Sequence, residues 1–502
     1  MNIKTEKRLE ALWYLAIFAF FYIWFSKIHP LIVYDLDDWT YLAYVRKATP
    51  IWGDWNPAKV FPEVVMPLVS TIILHTIVPL VGDYITGFTV GHALVVSGFI
   101  TAYAWCLGGL IKRSFSLGRL NTAMVTFLFL LLHFLVFRTE DWKNTYLFFC
   151  EDLNCYYNYL IPALLNACIV MYMMNNPTMD RFLESSSYPL KGIFYVVIYL
   201  AIFSNLVDSG ILAAYAGSCL LFNLLNHIKK FNFSRYIQKN KVSLVILIMW
   251  FVSAIFELSG GRASVTSSTG LLTRTKYSLL HLLRVLRGCN PLFWVTVAVI
   301  ILLCAVCLLR SRCKDKDSKI LIFTVTLILI AGAAITVYSN ILCGMVNYNC
   351  IYRSEYLFAM FFYGFMIIMP ALAYVIKKQP QITVILPLIL LFLVAEINTN
   401  TQTFEDSLMS DYGASVCADI SRDIIEQFLS ADEAGLDEAI IYVPVHVSDP
   451  INDDNWPHSM VLVSRIGHTL YEQGILSRSI EFTYVADASV NERHHIPIPT
   501  AN

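Results

Sequence analysis

Residues 33–67 read VYDLDDWTYLAYVRKATPIWGDWNPAKVFPEVVMP and follow the first long apolar run of the chain. This polar stretch separates two apolar runs and is rich in carboxylates and tryptophans. Its acidic residues are Asp35, Asp37, Asp38, Asp54 and Glu63, and its tryptophans are Trp39, Trp52 and Trp55. Ionisable groups beside a membrane are costly to keep and commonly mark a functional site. We therefore take this stretch as the centre of the candidate functional site.

The composition is that of a membrane protein. Of the 502 residues, 57% are hydrophobic and only 15% are charged, against roughly 25% charged residues in an average soluble domain. Apolar runs long enough to cross a bilayer recur along the chain, which predicts a polytopic α-helical membrane protein. The net charge is −1 and no polybasic tract is present, so nothing indicates a nucleic-acid partner. The first run, 11–28, is interpreted as a retained span.

The distribution of Lys and Arg sets the expected topology, because cytoplasmic connections carry the excess of these residues. The basic connections all fall on one side only if one early apolar run does not cross. The run at 63–81 is the one to exclude, since it opens with Glu63 and contains two prolines. We predict about eleven spans with a cytoplasmic N-terminus, and an outer loop at 30–83 in which 63–81 forms a juxtamembrane or re-entrant helix.

This topology places several polar stretches on the outer side, where we expect them to lie together. They are residues 33–62, 138–157, Asn205 to Asp208, 257–290 and 339–353. From residue 398 the composition becomes that of a soluble domain. Helical spacing at 411–430 and 456–473 and strand patterns at 438–445 and 479–487 predict a small extracytoplasmic α/β domain at 398–502, after a transmembrane domain at 1–397.

Asp35, Asp37 and Asp38 place three carboxylates within four residues. Like charges at this spacing raise one another's pKa, and poor solvation above a bilayer raises it further, so one of them is a candidate general base. The same cluster is where a divalent cation would bind, if the protein uses one. The alternative interpretation is an acidic surface loop with a tryptophan belt at the membrane interface.

Cations on the predicted outer side run against the positive-inside trend, and among them we single out Lys59, Arg262 and Arg353. Because arginine binds phosphate in bidentate fashion, these residues are candidates for holding a lipid phosphate. The alternative is that they are snorkelling cations at span ends.

Other polar residues in the outer stretches have structural interpretations. Asn205 and Asp208 stand at the start of a span and are expected to cap its helix. The pairs Cys150–Cys155 and Cys343–Cys350 lie in short outer connections, and their spacing leaves both disulfides open.

Together, these features resemble the GT-C superfamily of integral-membrane glycosyltransferases. The matching features are a retained first span, an outer loop with the motif Asp37-Asp38-Trp39, a juxtamembrane helix, about eleven spans and a C-terminal outer domain. The chain looks most like the bacterial enzymes of the O-antigen glucosyltransferase type, which use polyprenyl-phosphate sugars. The GGR that ends at Arg262 is similar to a glycine–arginine element of their outer loops.

The resemblance implies transfer of a sugar from a polyprenyl-phosphate donor to a cell-surface glycan or lipid-linked acceptor, on the outer face of the bacterial plasma membrane. It implies that the base is Asp37 first and Asp38 second. The residues expected to contact sugar or acceptor are Asp35, Trp39, Trp55, Glu63 and Glu257. Two alternatives stay open, namely a glycan polymerase or ligase, and a non-enzymatic lipid or sugar transporter or flippase.

Overall fold

The computed structural model describes residues 3–44, 57–137, 146–176, 186–228, 232–258, 270–399, 412–445 and 460–498. The helices are α1 (Ile3–Ile23), α2 (Leu36–Ala43), α3 (Met66–Thr76), α4 (Val78–Val81), α5 (Tyr84–Phe115), α6 (Arg119–Leu135), α7 (Leu153–Cys155), α8 (Ile161–Asn175), α9 (Tyr188–Ile202), α10 (Leu206–His227), α11 (Phe233–Lys239), α12 (Lys241–Leu258), α13 (Leu271–Gly288), α14 (Pro291–Ser311), α15 (Lys316–Met345), α16 (Ser354–Lys378), α17 (Ile382–Thr399), α18 (Ala414–Glu433), α19 (Met460–Glu472) and α20 (Ala488–Arg493). The strands are β1 (Glu438–Val443) and β2 (Glu481–Ala486). Short π-helical turns occupy Trp24–Ile28, Phe61–Val65 and Tyr156–Leu160, and a 3-10 turn occupies Tyr348–Tyr352.

Nine helices in the described ranges are long and apolar enough to cross a membrane, judged by length and composition. They are Lys7–Ile28, Phe61–Val81, Tyr84–Phe115, Leu153–Asn175, Leu206–Asn226, Lys241–Leu258, Pro291–Ser311, Lys316–Met345 and Ser354–Lys378. Three shorter apolar helices are Arg119–Leu135, Tyr188–Ile202 and Ile382–Ile397. The chain is a polytopic α-helical membrane protein, which confirms the class predicted from its composition.

The helices α3 and α4 fold back along the first half of α5. Gly91 of α5 faces Ile73 so closely that a Cβ at this glycine would lie 2.4 Å from the isoleucine side chain. The rings of Phe61 and Phe99 are 6.1 Å apart. Because α5 has 32 residues and is therefore about 48 Å long, both of these contacts lie within its first half.

The far end of α5 lies among paired charges. Lys112 and Arg119 contact Glu10 at 2.9 and 3.1 Å, and Lys377 contacts Asp317 at 2.9 Å. Ring contacts show that α6 and α16 run antiparallel, so both sets of ion pairs lie at the same end of the bundle. Several of the basic connections identified in the sequence therefore share one end.

The opposite end collects four of the polar stretches that the sequence predicts to lie together. The hydrogen bonds that join them run from Tyr34 Oη to Glu151 O, from Val60 N to Phe203 O and from Ser354 Oγ to Phe149 O. We call this the polar end, and it comprises residues 34–44, 57–65, 146–158, 203–208 and 346–355. The predicted meeting of these stretches is thus found in the described part of the chain.

The C-terminal residues contain the helices and strands that the sequence predicts there. The strands β1 and β2 are parallel, with Ile441 opposite Tyr484, and Ile441 and Val443 are buried beneath the helices. Arg422 of α18 contacts Asp83, just before α5, at 2.9 Å. The C-terminal elements therefore pack onto the polar end, while the domain boundary at residue 397 stays a prediction.

Candidate functional site

The helix α2 carries the central carboxylates and begins with a capping box. Asp35 is the N-cap, and its Oδ1 accepts a hydrogen bond from Asp37 N at 2.8 Å. In return, Asp38 Oδ2 accepts from Asp35 N at 3.3 Å. These two bonds satisfy amide groups that have no partner within the helix, which explains why a helix starts in this acidic stretch. Asp35 therefore has a structural role in addition to any contact with a ligand.

Asp38 is fully buried and held by main-chain amides. Its Oδ1 accepts from Asn154 N at 2.6 Å, and its Oδ2 accepts from Tyr34 N at 3.3 Å. Burial raises the pKa of Asp38 well above its ordinary value, and the charges of Asp152 and Asp35 raise it further, while the amide bonds oppose this shift. With no exposed surface, Asp38 ties α2 to the 146–158 segment and is not open to a substrate in this structure.

Asp37 lies one residue earlier and differs from Asp38 in exposure and in hydrogen bonding. It is exposed, and its carboxylate has no hydrogen bond or ion pair with a residue in the described ranges. Since consecutive helical residues point about 100° apart, the buried anchor Asp38 leaves Asp37 directed away from the packed side. Of the two candidate bases, Asp37 is the one whose oxygens a substrate can reach.

The 146–158 segment brings a second acidic group to the site. Asp152 precedes α7 and accepts a hydrogen bond from Cys155 N. Burial raises the pKa of Asp152 to about 7, with a further increase from the charge of Asp35, and the bonds from Cys155 and the charge of Arg353 only partly oppose it. Sequence reasoning did not select Asp152, although its place in EDLNC, within a predicted outer stretch, was a visible signal.

The two candidate phosphate-binding cations in the described ranges have different surroundings. Arg353 contacts Glu355 at 3.0 Å and Glu151 at 3.4 Å, and its guanidinium lies 5.4 Å from the ring centre of Tyr159. Its charge is therefore already balanced by two carboxylates. Lys59, by contrast, forms no ion pair with any residue that the structure describes. The third candidate, Arg262, lies outside the described residues.

Lys59 also has an unusual backbone. Its φ is 54°, in the left-handed region that non-glycine residues rarely adopt. The next residue, Val60, donates its N–H to Phe203 O at 3.1 Å, and Tyr199 Oη donates to Pro57 O at 3.1 Å. The end of α9 thus holds this strained segment in place, and strained backbone of this kind is concentrated at functional sites.

The candidate sugar contacts are only partly accessible. Trp39 is fully buried and stacks on Tyr84 at 5.9 Å between ring centres, so its face is not available to a sugar in this structure. Glu63 is half-buried. Glu257, at the end of α12, acts electrostatically on Tyr338. Trp55 lies outside the described residues.

Asp208 is a buried carboxylate whose position sequence reasoning misread. Asn205 caps α10 as expected, since its Oδ1 accepts from Val207 N at 2.7 Å. Asp208 is fully buried, and neither of its oxygens has a hydrogen-bond partner in the described structure. It therefore does not cap the helix. An ionisable residue inside a span was the signal that pointed to a functional role.

The sequence left a metal site and two disulfides open, and the structure bears on both. No group of three or more His, Cys, Asp or Glu side chains in the described ranges is arranged to hold a metal ion. All twelve cysteines of the chain are free thiols, so neither of the two disulfides left open by the sequence is present. Cys155 instead donates its thiol to Asp152 Oδ2 at 3.2 Å.

No known protein family matches this chain, and no curated protein or solved structure matches it either.

Proposed function

We propose that this protein is a GT-C type glycosyltransferase. In this proposal it moves a sugar from a polyprenyl-phosphate donor to a cell-surface glycan or lipid-linked acceptor, on the outer face of a bacterial plasma membrane. The observation that carries the proposal is the contrast between Asp37 and Asp38 on one helical turn. One carboxylate is exposed and unpaired among the described residues, while its neighbour anchors the helix beneath it.

The reaction assigns the exposed carboxylate a defined role. Asp37 takes the proton of the acceptor hydroxyl as that oxygen attacks the anomeric carbon of the donor. The new glycosidic C–O bond forms while the bond from the anomeric carbon to the phosphate oxygen breaks, and polyprenyl phosphate leaves with the bonding electron pair. The anchor at Asp38 fixes α2, which keeps the base in place for the attack.

The leaving phosphate needs positive charge close to it. Lys59 supplies a cation without an ion pair in the described structure, on a backbone held by α9. Arg262 is assigned to the same phosphate from its sequence position. Arg353 is held by Glu355 and Glu151, and we assign it to orienting these carboxylates unless the donor displaces one of them.

The proposal includes about eleven spans, with the N-terminus in the cytoplasm and the C-terminal elements outside. The fold of the 61–81 segment supports this count. Although it is long and apolar enough to cross, it packs along the first half of α5. The residues on either side of it contact the polar end, Val60 through Phe203 and Tyr84 through Trp39. Its contacts with α5, from Phe61 against Phe99 to Val78 against Gly87, stay within the first half of that helix, as the proposal requires of a segment that does not cross.

The test is transfer by the purified protein in lipid nanodiscs. Radiolabelled polyprenyl-phosphate-linked glucose, galactose and mannose would each be offered, with lipid-linked glycan extracted from bacterial membranes as acceptor. Label should move into the glycan, and polyprenyl phosphate should be released. Asp37→Asn should reduce transfer by about 100- to 10,000-fold, the usual contribution of a general base.

Asp437→Asn is the matched control, because this aspartate is exposed on the C-terminal elements and its nearest cation, Arg478, is 3.5 Å away. It should retain full activity. Full activity of Asp37→Asn would remove the proposed base. Movement of labelled donor across a proteoliposome membrane, without transfer, would instead favour the transporter.

A further inference from the structure

Asp208 lies in the first turn of α10, at the polar end, and its carboxylate is unsatisfied in the described structure. It is fully buried, and both carboxylate oxygens are without a hydrogen-bond partner among the described residues. The charge that acts on it is that of Glu355, which is of the same sign and is already paired with Arg353 at 3.0 Å. A buried carboxylate without a partner is strongly unfavourable. A ligand, an ion or a water molecule can complete such a group.

The residues packed around Tyr338, close to Asp208, include a hydrogen-bond donor without an acceptor in the described ranges, the indole of Trp250. Tyr338 of α15 lies within electrostatic range of Asp208 and donates its hydroxyl to Leu206 O at 2.8 Å. The indole of Trp250 packs edge-on against the same tyrosine, 5.5 Å between ring centres. Its buried Nε1–H has no acceptor in the described structure. Trp250, with its unsatisfied N–H, and the helix that carries Asp208 therefore both pack against Tyr338.

A glycine permits this close packing. Gly210 follows Asp208 by two residues, and a Cβ at this position would lie 2.8 Å from the ring of Tyr338. Any larger residue would push the ring away from α10. The backbone thus lets Tyr338 lie directly beside the helix that carries Asp208.

We infer that Asp208 is the centre of a buried subsite for a polyhydroxylated group, with both carboxylate oxygens accepting hydrogen bonds from neighbouring hydroxyls. Hydroxyl groups both donate and accept hydrogen bonds, so a group that carries several of them offers donors to a carboxylate and an acceptor to an indole N–H. A metal ion would satisfy only the carboxylate, and no group of three candidate ligands is arranged around it in the described ranges. The inference rests on the proposed function, in which this group is the sugar of the donor.

The first experiment measures stability without any need for turnover. Asp208→Asn keeps the shape and removes the cost of burying an ionisable group without a partner, so the ligand-free protein should unfold at a higher temperature than wild type. Asp83→Asn is the matched control, since that aspartate also lies at a span end but is paired with Arg422. It should unfold at a lower temperature. A lower unfolding temperature for Asp208→Asn would assign Asp208 a structural role and overturn the inference.

The second experiment uses whichever polyprenyl-phosphate hexose is active in the transfer assay. Asp208→Asn should raise KM for that donor by about 10- to 100-fold, the effect of losing charged hydrogen bonds. It should also lose preference for the full donor over versions lacking one hydroxyl. An unchanged KM and unchanged preference, with transfer intact, would refute the subsite and leave the proposed function standing. Absence of transfer by the wild type would refute the proposed function, whatever the stability result.

Discussion

Thr469 Oγ1 donates a hydrogen bond of 2.7 Å to the main-chain carbonyl oxygen of Trp39, across 430 positions of the chain. The bond is buried, and it joins α19 to the helix that carries Asp37 and Asp38. Gln473 extends the same contact, because its Oε1 accepts from Tyr84 Oη at 2.7 Å while its Nε2 approaches Leu42 O at 3.4 Å. The C-terminal elements thus hold the last turn of α2, while Asp38 holds its first turn.

Replacing Thr469 by valine removes this bond and nearly preserves the volume of the side chain. We expect kcat for transfer to fall about 10-fold, because a small displacement of α2 misplaces the base. KM for the donor should stay within about twofold, since no donor-binding residue changes. Thr483→Val is the control, because Thr483 is exposed on β2. A Thr469→Val enzyme with wild-type kcat would show that the bond does not position α2.

The ion pair between Asp83 and Arg422 should show a defined pH dependence. Burial acts to raise the pKa of Asp83, but the bonds from Arg422 and Thr86 outweigh it and lower the pKa below its ordinary value. A carboxylate with a lowered folded-state pKa stabilises the fold at pH values above its unfolded pKa of about 4. This stabilisation is lost as the pH falls through the folded-state pKa.

We therefore expect Arg422→Gln to lower the unfolding temperature at pH 7, with the difference from wild type narrowing at about pH 3. A double-mutant cycle with Asp83→Asn at pH 7 should give a coupling free energy of about 1 kcal/mol, because both side chains are partly exposed. A constant difference across this pH range would mean that the arginine acts through packing alone.

The contribution of Asp152 to the stability of the fold should depend on pH in the opposite sense. Burial raises its pKa to about 7, so its protonated form stabilises the fold below about pH 4, and this stabilisation is lost as the pH rises through 7. Asp152→Asn imitates the protonated form. We expect it to unfold at the same temperature as wild type at about pH 4 and at a higher temperature at pH 8. Equal unfolding temperatures at both pH values would contradict the raised pKa.

The proposed topology predicts which positions a membrane-impermeant thiol reagent reaches in intact cells. Tyr44 follows α2 and is 56% exposed, and Ser116 is exposed after α5. Cysteines at these two positions would be introduced after replacing Cys313 and Cys350 by serine. Label is expected at position 44 in intact cells, and at position 116 only after permeabilisation. The reverse pattern, or label at both positions in intact cells, would break the topology.

The class of fold was predictable because composition and hydropathy depend on many residues at once. The meeting of the polar stretches was also predictable, because the number of spans between them sets the side of the membrane on which each one lies. What sequence could not distinguish was Asp37 from Asp38, which have the same chemistry and adjacent positions. The amide of Asn154, which binds Asp38 and comes from a distant segment, is a contact that no local pattern reveals.

The surroundings of Trp39 and of Asp208 could not be predicted from the sequence for a related reason. A tryptophan beside an acidic cluster fits sugar stacking or core packing equally well, and the neighbouring ring that decides between them, Tyr84, comes from α5. An aspartate three residues after Asn205 fits helix capping by spacing alone. The absence of a hydrogen-bond partner for Asp208 among the described residues depends on how α15 and α16 pack in the fold, which no local sequence pattern describes.

The link between Thr469 and Trp39 has a consequence for how the protein is made. Helix α2 is among the first parts of the chain to be synthesised, yet its last turn gains its buried partner only when α19 has been translated and has reached the same side of the membrane. A chain that stops before Thr469 contains every proposed site residue and still lacks this support. Completion of the site is therefore coupled to completion of translation, and premature termination yields a membrane-inserted protein with an unbraced α2.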